Sequence, residues 1–151
     1  MNTSLTTIRT MIVDDEVLAR ENVVALLRND PEIQLIGQSS NGAQAISAIM
    51  EEKPDLLFLD IQMPGLTGFE VLEKLPAAVL PQVVFVTAYD HFALQAFDVH
   101  AVDYLLKPFS RARFDAALTR AKASVRLRGR EDFKKLLAEL EKQVAAGKPS
   151  K

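Results

Sequence analysis

Short apolar runs alternate with longer amphipathic segments over most of the chain. The runs are IRTMIV (8–13), IQLIGQS (33–39), DLLFL (55–59), QVVFV (82–86) and AVDYLL (101–106). The central ones are apolar at consecutive positions, hence on both faces, as in parallel strands buried between two layers of helices. The segments between them predict helices near 16–29, 42–52, 67–75, 91–98 and 110–127. In the first, Val17, Leu18, Val24 and Leu27 recur at helical spacing. The third opens TGFE, where Thr67 and Glu70 are spaced for a capping box, and Ser110 is placed to cap the fifth. Asn41-Gly42 and MPGLTG (63–68) read as turns. Five strand–helix units in alternation predict an α/β fold, a doubly wound parallel five-stranded sheet.

A different pattern follows VRLRGR (125–130). In EDFKKLLAELEKQVAA, Phe133, Leu136, Leu137, Leu140 and Val144 fall on one helical stripe. It reads as a separate C-terminal helical extension that needs a partner surface, over too few heptads to establish a coiled coil. The expected organisation is a flexible N-terminus (1–7), one domain (8–127) and a linker or helical extension (128–151), with GKPSK as a frayed end.

Composition narrows the classes. Hydrophobic residues make up 48% of the 151 positions, enough for a packed core. There is no cysteine, which excludes disulfides, thiol catalysis and thiolate metal sites. The apolar runs are too short to span a bilayer, and MNTSLTTIRT lacks the pattern of a signal peptide, so a soluble cytoplasmic protein is expected. The net charge of −2 hides an asymmetry: residues 1–110 hold 6 Lys and Arg against 15 Asp and Glu, while 111–130 hold 7 against 1. A single basic helix face of this kind reads as a solvated surface in preference to a nucleic-acid footprint.

The residues that follow each run carry the chemistry. Asp14, Asp15 and Glu16 follow the first, Asp60 the third, Thr87 the fourth and Lys107 the fifth. In a parallel sheet these positions share the carboxyl edge, where open α/β sheets bind ligands. Clustered carboxylates call for a cation, and Mg²⁺ suits an all-oxygen donor set. Lys107 and Thr87 would serve phosphate oxygens, and a strand-end carboxylate can accept a phosphoryl group. Taken singly, Asp14-Asp15 could be a helix cap, Thr87 a plain strand end and Lys107 a surface charge. His91 reads as the first turn of the fourth helix and His100 as a turn residue, with no metal-ligand spacing. Met63 reads as loop packing.

The motifs VDDE (13–16), LFLDIQMPGLTGFEVL (57–72), VVFVTAYD (83–90) and AVDYLLKPF (101–109) resemble the receiver domain of two-component response regulators over about 8–127. TAYDHFALQAFDVHAVDYLLKPF is more narrowly similar to the LytR/AlgR (LytTR) type. The resemblance implies a flavodoxin/CheY-like (βα)5 fold in which Asp60 accepts a phosphoryl group from a histidine kinase. It implies that Asp15 and Asp60 ligate Mg²⁺ directly, with the main-chain carbonyl of Gln62, and that Asp14 acts mostly through water. Thr87 and Lys107 would bind phosphoryl oxygens, Ala88 would keep the approach open, and Lys107-Pro108 would be cis. Thr87 would move toward the phosphate and Tyr104 would turn inward, changing a surface made of 91–98 (α4), 101–106 (β5) and 110–127 (α5). The resemblance also implies a homodimer through this α4-β5-α5 surface.

On this reading the chain is a switch and not an enzyme, beyond self-directed phosphoryl transfer and autodephosphorylation. A haloacid-dehalogenase-like phosphohydrolase is the alternative, but that class wants an acid two residues after the nucleophile, and Gln62 stands there. A degenerate receiver acting by contact alone usually lacks an acid or the lysine, and none is missing. A nucleotide-binding domain is disfavoured, because neither G-x-G-x-x-G nor a P-loop motif occurs. LytTR-type regulators act on DNA through a downstream domain, which these 151 residues are too few to hold. A truncated regulator is therefore expected in preference to a stand-alone receiver.

Overall fold

The computed structural model describes residues 7–145. The flexible N-terminus expected for 1–7, apart from Thr7, and the frayed end expected for 147–151 lie outside the described residues. The strands are β1 (Ile8–Val13), β2 (Ile33–Ser39), β3 (Leu56–Leu59), β4 (Gln82–Thr87) and β5 (Asp103–Leu106). The helices are α1 (Val17–Leu27), α2 (Gly42–Glu52), α3 (Gly68–Glu73), α4 (Ala93–Asp98) and α5 (Arg111–Ala145). All strand pairs are parallel, in the order β2-β1-β3-β4-β5. The doubly wound sheet expected from the alternation is therefore the observed one, and the chain changes direction across the sheet at β1/β3.

Successive side chains of a strand point to opposite faces, so a strand covered on both sides must be apolar throughout. β3 shows this directly. Leu57 and Leu59 pack with Ala45 and Ile49 of α2, Phe69 and Val71 of α3 and Ala96 of α4. Leu56 and Phe58 pack on the other face with Val23 and Leu27 of α1 and with Phe114, Ala117 and Leu118 of α5. The Phe58 and Phe114 rings stack with centroids 5.5 Å apart.

Local signals fix several helix starts. The Thr67 hydroxyl accepts from the N–H of Glu70, whose carboxylate accepts from the N–H of Thr67, completing the capping box expected there. Asn41 caps α2 through the N–H of Gln44, and Ser110 accepts from the N–H of Arg113. Thr67→Ala is expected to cost about 1 kcal/mol by loss of the cap, seen as a lower thermal midpoint in circular dichroism.

Two expectations are corrected. His91 lies in a 3-10 turn (Asp90–Phe92) ahead of α4, because Phe92 at φ −97°, ψ 3° interrupts the helical geometry. His100 is the turn residue expected, at φ 62°. The C-terminal stripe does not start a separate helix: α5 runs unbroken for 35 residues through Gly129. One interior glycine costs about 1 kcal/mol against alanine, too little to stop a helix with strong helix formers on both sides.

The basic segment 111–130 is held against the acidic body. Arg113 and Arg120 grip Asp103, Lys122 Nζ lies 2.6 Å from Asp30 Oδ2 and 2.8 Å from Glu32 Oε1, and Arg126 lies 2.6 Å from Glu32 Oε2. Arg128 donates to the carbonyl of Leu80. Much of the charge asymmetry is thus an internal seam between α5 and the sheet layer.

Candidate functional site

The sheet brings the strand-end residues together. β1 lies between β2 and β3 and ends at Val13, so Asp14 begins where Asp60 does: the N–H of Asp60 donates to the carbonyl of Val13 at 2.9 Å. The N–H of Asp14 donates to the carbonyl of Ser39 at 3.1 Å. The N–H of Lys107 donates to the carbonyl of Thr87 at 2.8 Å, tying the ends of β4 and β5. Lys107-Pro108 is cis.

Carboxylate oxygens of Asp14, Asp15 and Asp60 lie within 4.8 Å of one another. Asp14 and Asp60 are buried and Asp15 is exposed. The Lys107 ammonium sits between the two buried acids, 2.9 Å from Asp14 Oδ2 and 3.6 Å from Asp60 Oδ2, with Glu16 Oε1 at 3.4 Å. Asp14 Oδ1 accepts from the N–H of Glu16 at 3.0 Å. Both Asp14 oxygens are therefore engaged, whereas Asp60 Oδ1 is buried without a hydrogen-bond partner.

Electrostatics follow from this crowding. Burial, and then the charge of Asp14, push the Asp60 carboxyl up to about 6, with Lys107 opposing them. Burial alone would lower the Lys107 ammonium, but the Asp14 hydrogen bond and the Asp60 charge outweigh it and hold the group above its ordinary value. The cluster is thus short of positive charge. The donor set fits a hard divalent cation: all oxygen, several carboxylates, an orphaned oxygen on Asp60 and a solvent-facing carboxylate on Asp15.

Thr87 is fully buried at the end of β4, and its hydroxyl faces the N–H of Tyr89 at 3.4 Å. Ala88 and Gln62 are exposed, whereas Met63 is buried as loop packing. The Tyr104 hydroxyl donates to the carbonyl of Tyr89, and its ring packs on the core layer of α2, α3 and α4. Tyr104 is thereby latched to the loop that follows Thr87.

Two features have weaker sequence signals. Gly68 stands where a Cβ would come 2.5 Å from the main-chain oxygen of Asp60 and 3.2 Å from Ile61 Cα. Its N–H donates to the carbonyl of Ile61 at 2.9 Å, closing the loop beneath the acid. The other is Asp103, an acid inside an apolar strand. It takes Arg113 Nη1 at 3.0 Å and Nη2 at 2.7 Å, together with Arg120. Burial raises the Asp103 carboxyl, but the two guanidiniums prevail and bring it to about 2. Because the folded value lies below the ordinary one, this clasp stabilises the protein above about pH 4 and fades as the pH falls toward 2. Asp103→Asn should lower the unfolding free energy at pH 7 by about 1 kcal/mol and by less at pH 2.5, as measured by urea titration.

The molecule is thus an open parallel α/β sheet with an acid cluster and a lysine at its carboxyl edge, the edge where such sheets bind ligands. A family profile described as the response regulator receiver domain matches residues 10–119, and the chain belongs to that family. An uncharacterized response regulatory protein of Shewanella oneidensis is 49% identical over 112 residues, covering 74% of this chain and 48% of that protein. The transcriptional regulatory protein BtsR of Escherichia coli is 46% identical over 113 residues, covering 75% and 47%. The chain therefore spans about half the length of the curated relatives it matches. Among solved structures, the response regulatory domain of protein mrkE from Klebsiella pneumoniae superposes with a TM-score of 0.71 at 28% identity. That match covers 79% of this chain and 98% of the other. Among the described residues no helix is long and apolar enough to cross a membrane.

Proposed function

We propose that the chain is a phospho-accepting switch, in which Asp60 takes a phosphoryl group from the phosphohistidine of a histidine kinase. The observation that carries the reading is the placement of Lys107 between Asp14 and Asp60, in a cluster whose carboxylates leave an excess of negative charge. An Asp60 carboxylate oxygen attacks phosphorus in line. The P–N bond to the kinase imidazole breaks, and its electron pair stays on nitrogen. Lys107 leaves the Asp60 carboxylate for a phosphoryl oxygen, and the Thr87 hydroxyl donates to a second.

Asp15, Asp60 and the Gln62 carbonyl would hold Mg²⁺, with Asp14 acting through water. The ion supplies charge neutralisation for the phosphoryl oxygens and for the crowded acids. Thr87 and Tyr104 form the switch, since a shift of Thr87 alters the loop whose Tyr89 carbonyl latches Tyr104. The changed surface comprises α4, β5 and α5, and a homodimer through it is one output. The second half of a LytTR-type transcription regulator, a DNA-binding domain, would be the effector. The chain itself turns over no external substrate. Gln62 supports this over the phosphohydrolase reading, because a carboxamide cannot protonate a leaving group as an acid does.

Incubation with acetyl phosphate and Mg²⁺ tests the proposal by intact mass. One labile phosphoryl group per chain is expected, and none in EDTA. Sustained release of phosphate from small esters would favour the hydrolase. No mass gain under any condition would leave a receiver that acts by contact alone.

A further inference from the structure

The last stretch of α5 leaves the body of the molecule. Every residue from 129 to 145 is exposed, yet Phe133, Leu136, Leu137, Leu140 and Val144 keep 59%, 55%, 42%, 48% and 80% of their surface in contact with solvent on one side. An isolated helical arm of this length is marginal unless its apolar side is packed. Residues 133, 137, 140 and 144 are spaced four, three and four apart, with Leu136 beside them. These four positions carry the a and d spacing at which two helices can meet, and Leu136 widens the stripe along one edge.

We infer that this arm pairs with the same arm of a second copy, antiparallel, separately from the α4-β5-α5 surface. Charge selects the partner and the direction. With Leu137 of one copy facing Leu140 of the other, Phe133 faces Val144, and both apolar layers close twice by symmetry. The flanking residues Lys134 and Glu141 lie one heptad apart on the same edge of the stripe. In the antiparallel pair each Lys134 meets the other copy's Glu141, giving two opposite-charge contacts. In a parallel pair neither residue faces the other, and that attraction is lost. The five side chains from two copies bring on the order of 1,000 Å² of exposed surface, close to the ~1,200 Å² at which specific interfaces begin.

Sedimentation equilibrium of the 151-residue chain, without acetyl phosphate, tests this. A concentration-dependent monomer–dimer equilibrium is expected. Leu137→Glu with Leu140→Glu, at exposed positions that leave the fold intact by circular dichroism, should make the chain monomeric. Lys134→Glu should weaken the dimer about tenfold, because both contacts become repulsive, and adding Glu141→Lys should restore it. A chain that stays monomeric at every concentration assigns the stripe to some other partner and overturns the inference. So does a dimer that ignores the double leucine substitution. A dimer that ignores Lys134→Glu overturns the antiparallel arrangement.

Discussion

Asp60→Asn is expected to abolish phosphoryl uptake completely and, in magnesium-free buffer at pH 7, to make the protein more stable. Both effects come from one geometry. Asp60 is buried beside Asp14, with a single ammonium to serve two acids and one of its own oxygens unpartnered. Its carboxyl is pushed up to about 6, above its ordinary value of 3.8. A raised carboxyl binds its proton more tightly in the folded state. Stability is therefore highest below about pH 4, falls as the pH rises toward 6, and is flat beyond, as far as this group is concerned. The carboxamide carries no charge to crowd Asp14, so the variant should gain about 1–2 kcal/mol at pH 7 after allowance for solvent screening, and nothing at pH 4. Urea titration at the two pH values checks the sign. Equal stability of the two proteins at pH 7 would show that Asp60 is not under electrostatic load.

Gly68→Ala should be nearly as damaging to function while leaving every charged residue in place. The added Cβ would meet the main-chain oxygen of Asp60 at 2.5 Å, with Ile61 Cα and Leu59 Cγ at 3.2 Å. Backbone atoms cannot rotate away as a side chain can, so the loop that carries the acceptor must shift. Overpacking of this kind costs about 1–3 kcal/mol. Displacement of a reacting group by about 1 Å costs about a hundredfold in rate. The expected result is a chain that folds, with a lowered thermal midpoint, and accepts a phosphoryl group from acetyl phosphate far more slowly. An unchanged phosphorylation rate would show that Gly68 does not fix the position of Asp60. Gly65, at φ 85° with no atom near an added Cβ, is the contrasting case, where any cost would come from backbone strain alone.

The layered sheet was legible because burial on both faces leaves a plain trace, as in the four consecutive apolar residues of β3. The convergence of Asp14, Asp15, Asp60 and Lys107 was legible for a related reason, since parallel strands must end on one edge. Boundaries that depend on a few torsions were less so. Nothing in Asp90-His91-Phe92 announces a 3-10 turn in place of a first α-helical turn. The continuity of α5 past VRLRGR was not legible from the change of pattern there: Gly129 is locally disfavourable, but the helix on either side is strong, and Lys122, Arg126 and Arg128 anchor the side toward the body. The clasp of Asp103 by Arg113 and Arg120 pairs residues on different elements, so only an acid in an apolar strand hinted at it. The role of Gly68 was hidden for the same reason, since TGFE reads fully as a helix start.

The measurement that bears most directly on the account is the location of the phosphoryl group. The chain is treated with acetyl phosphate and Mg²⁺, and the acyl phosphate is reduced with borohydride, which converts a phosphorylated aspartate to homoserine. The digest is then read by peptide mass. Homoserine is expected at position 60 alone, and none when Mg²⁺ is chelated. Homoserine at Asp14 or Asp15 instead, or an unreduced Asp60 in a chain that has gained phosphoryl mass, would contradict Asp60 as the acceptor.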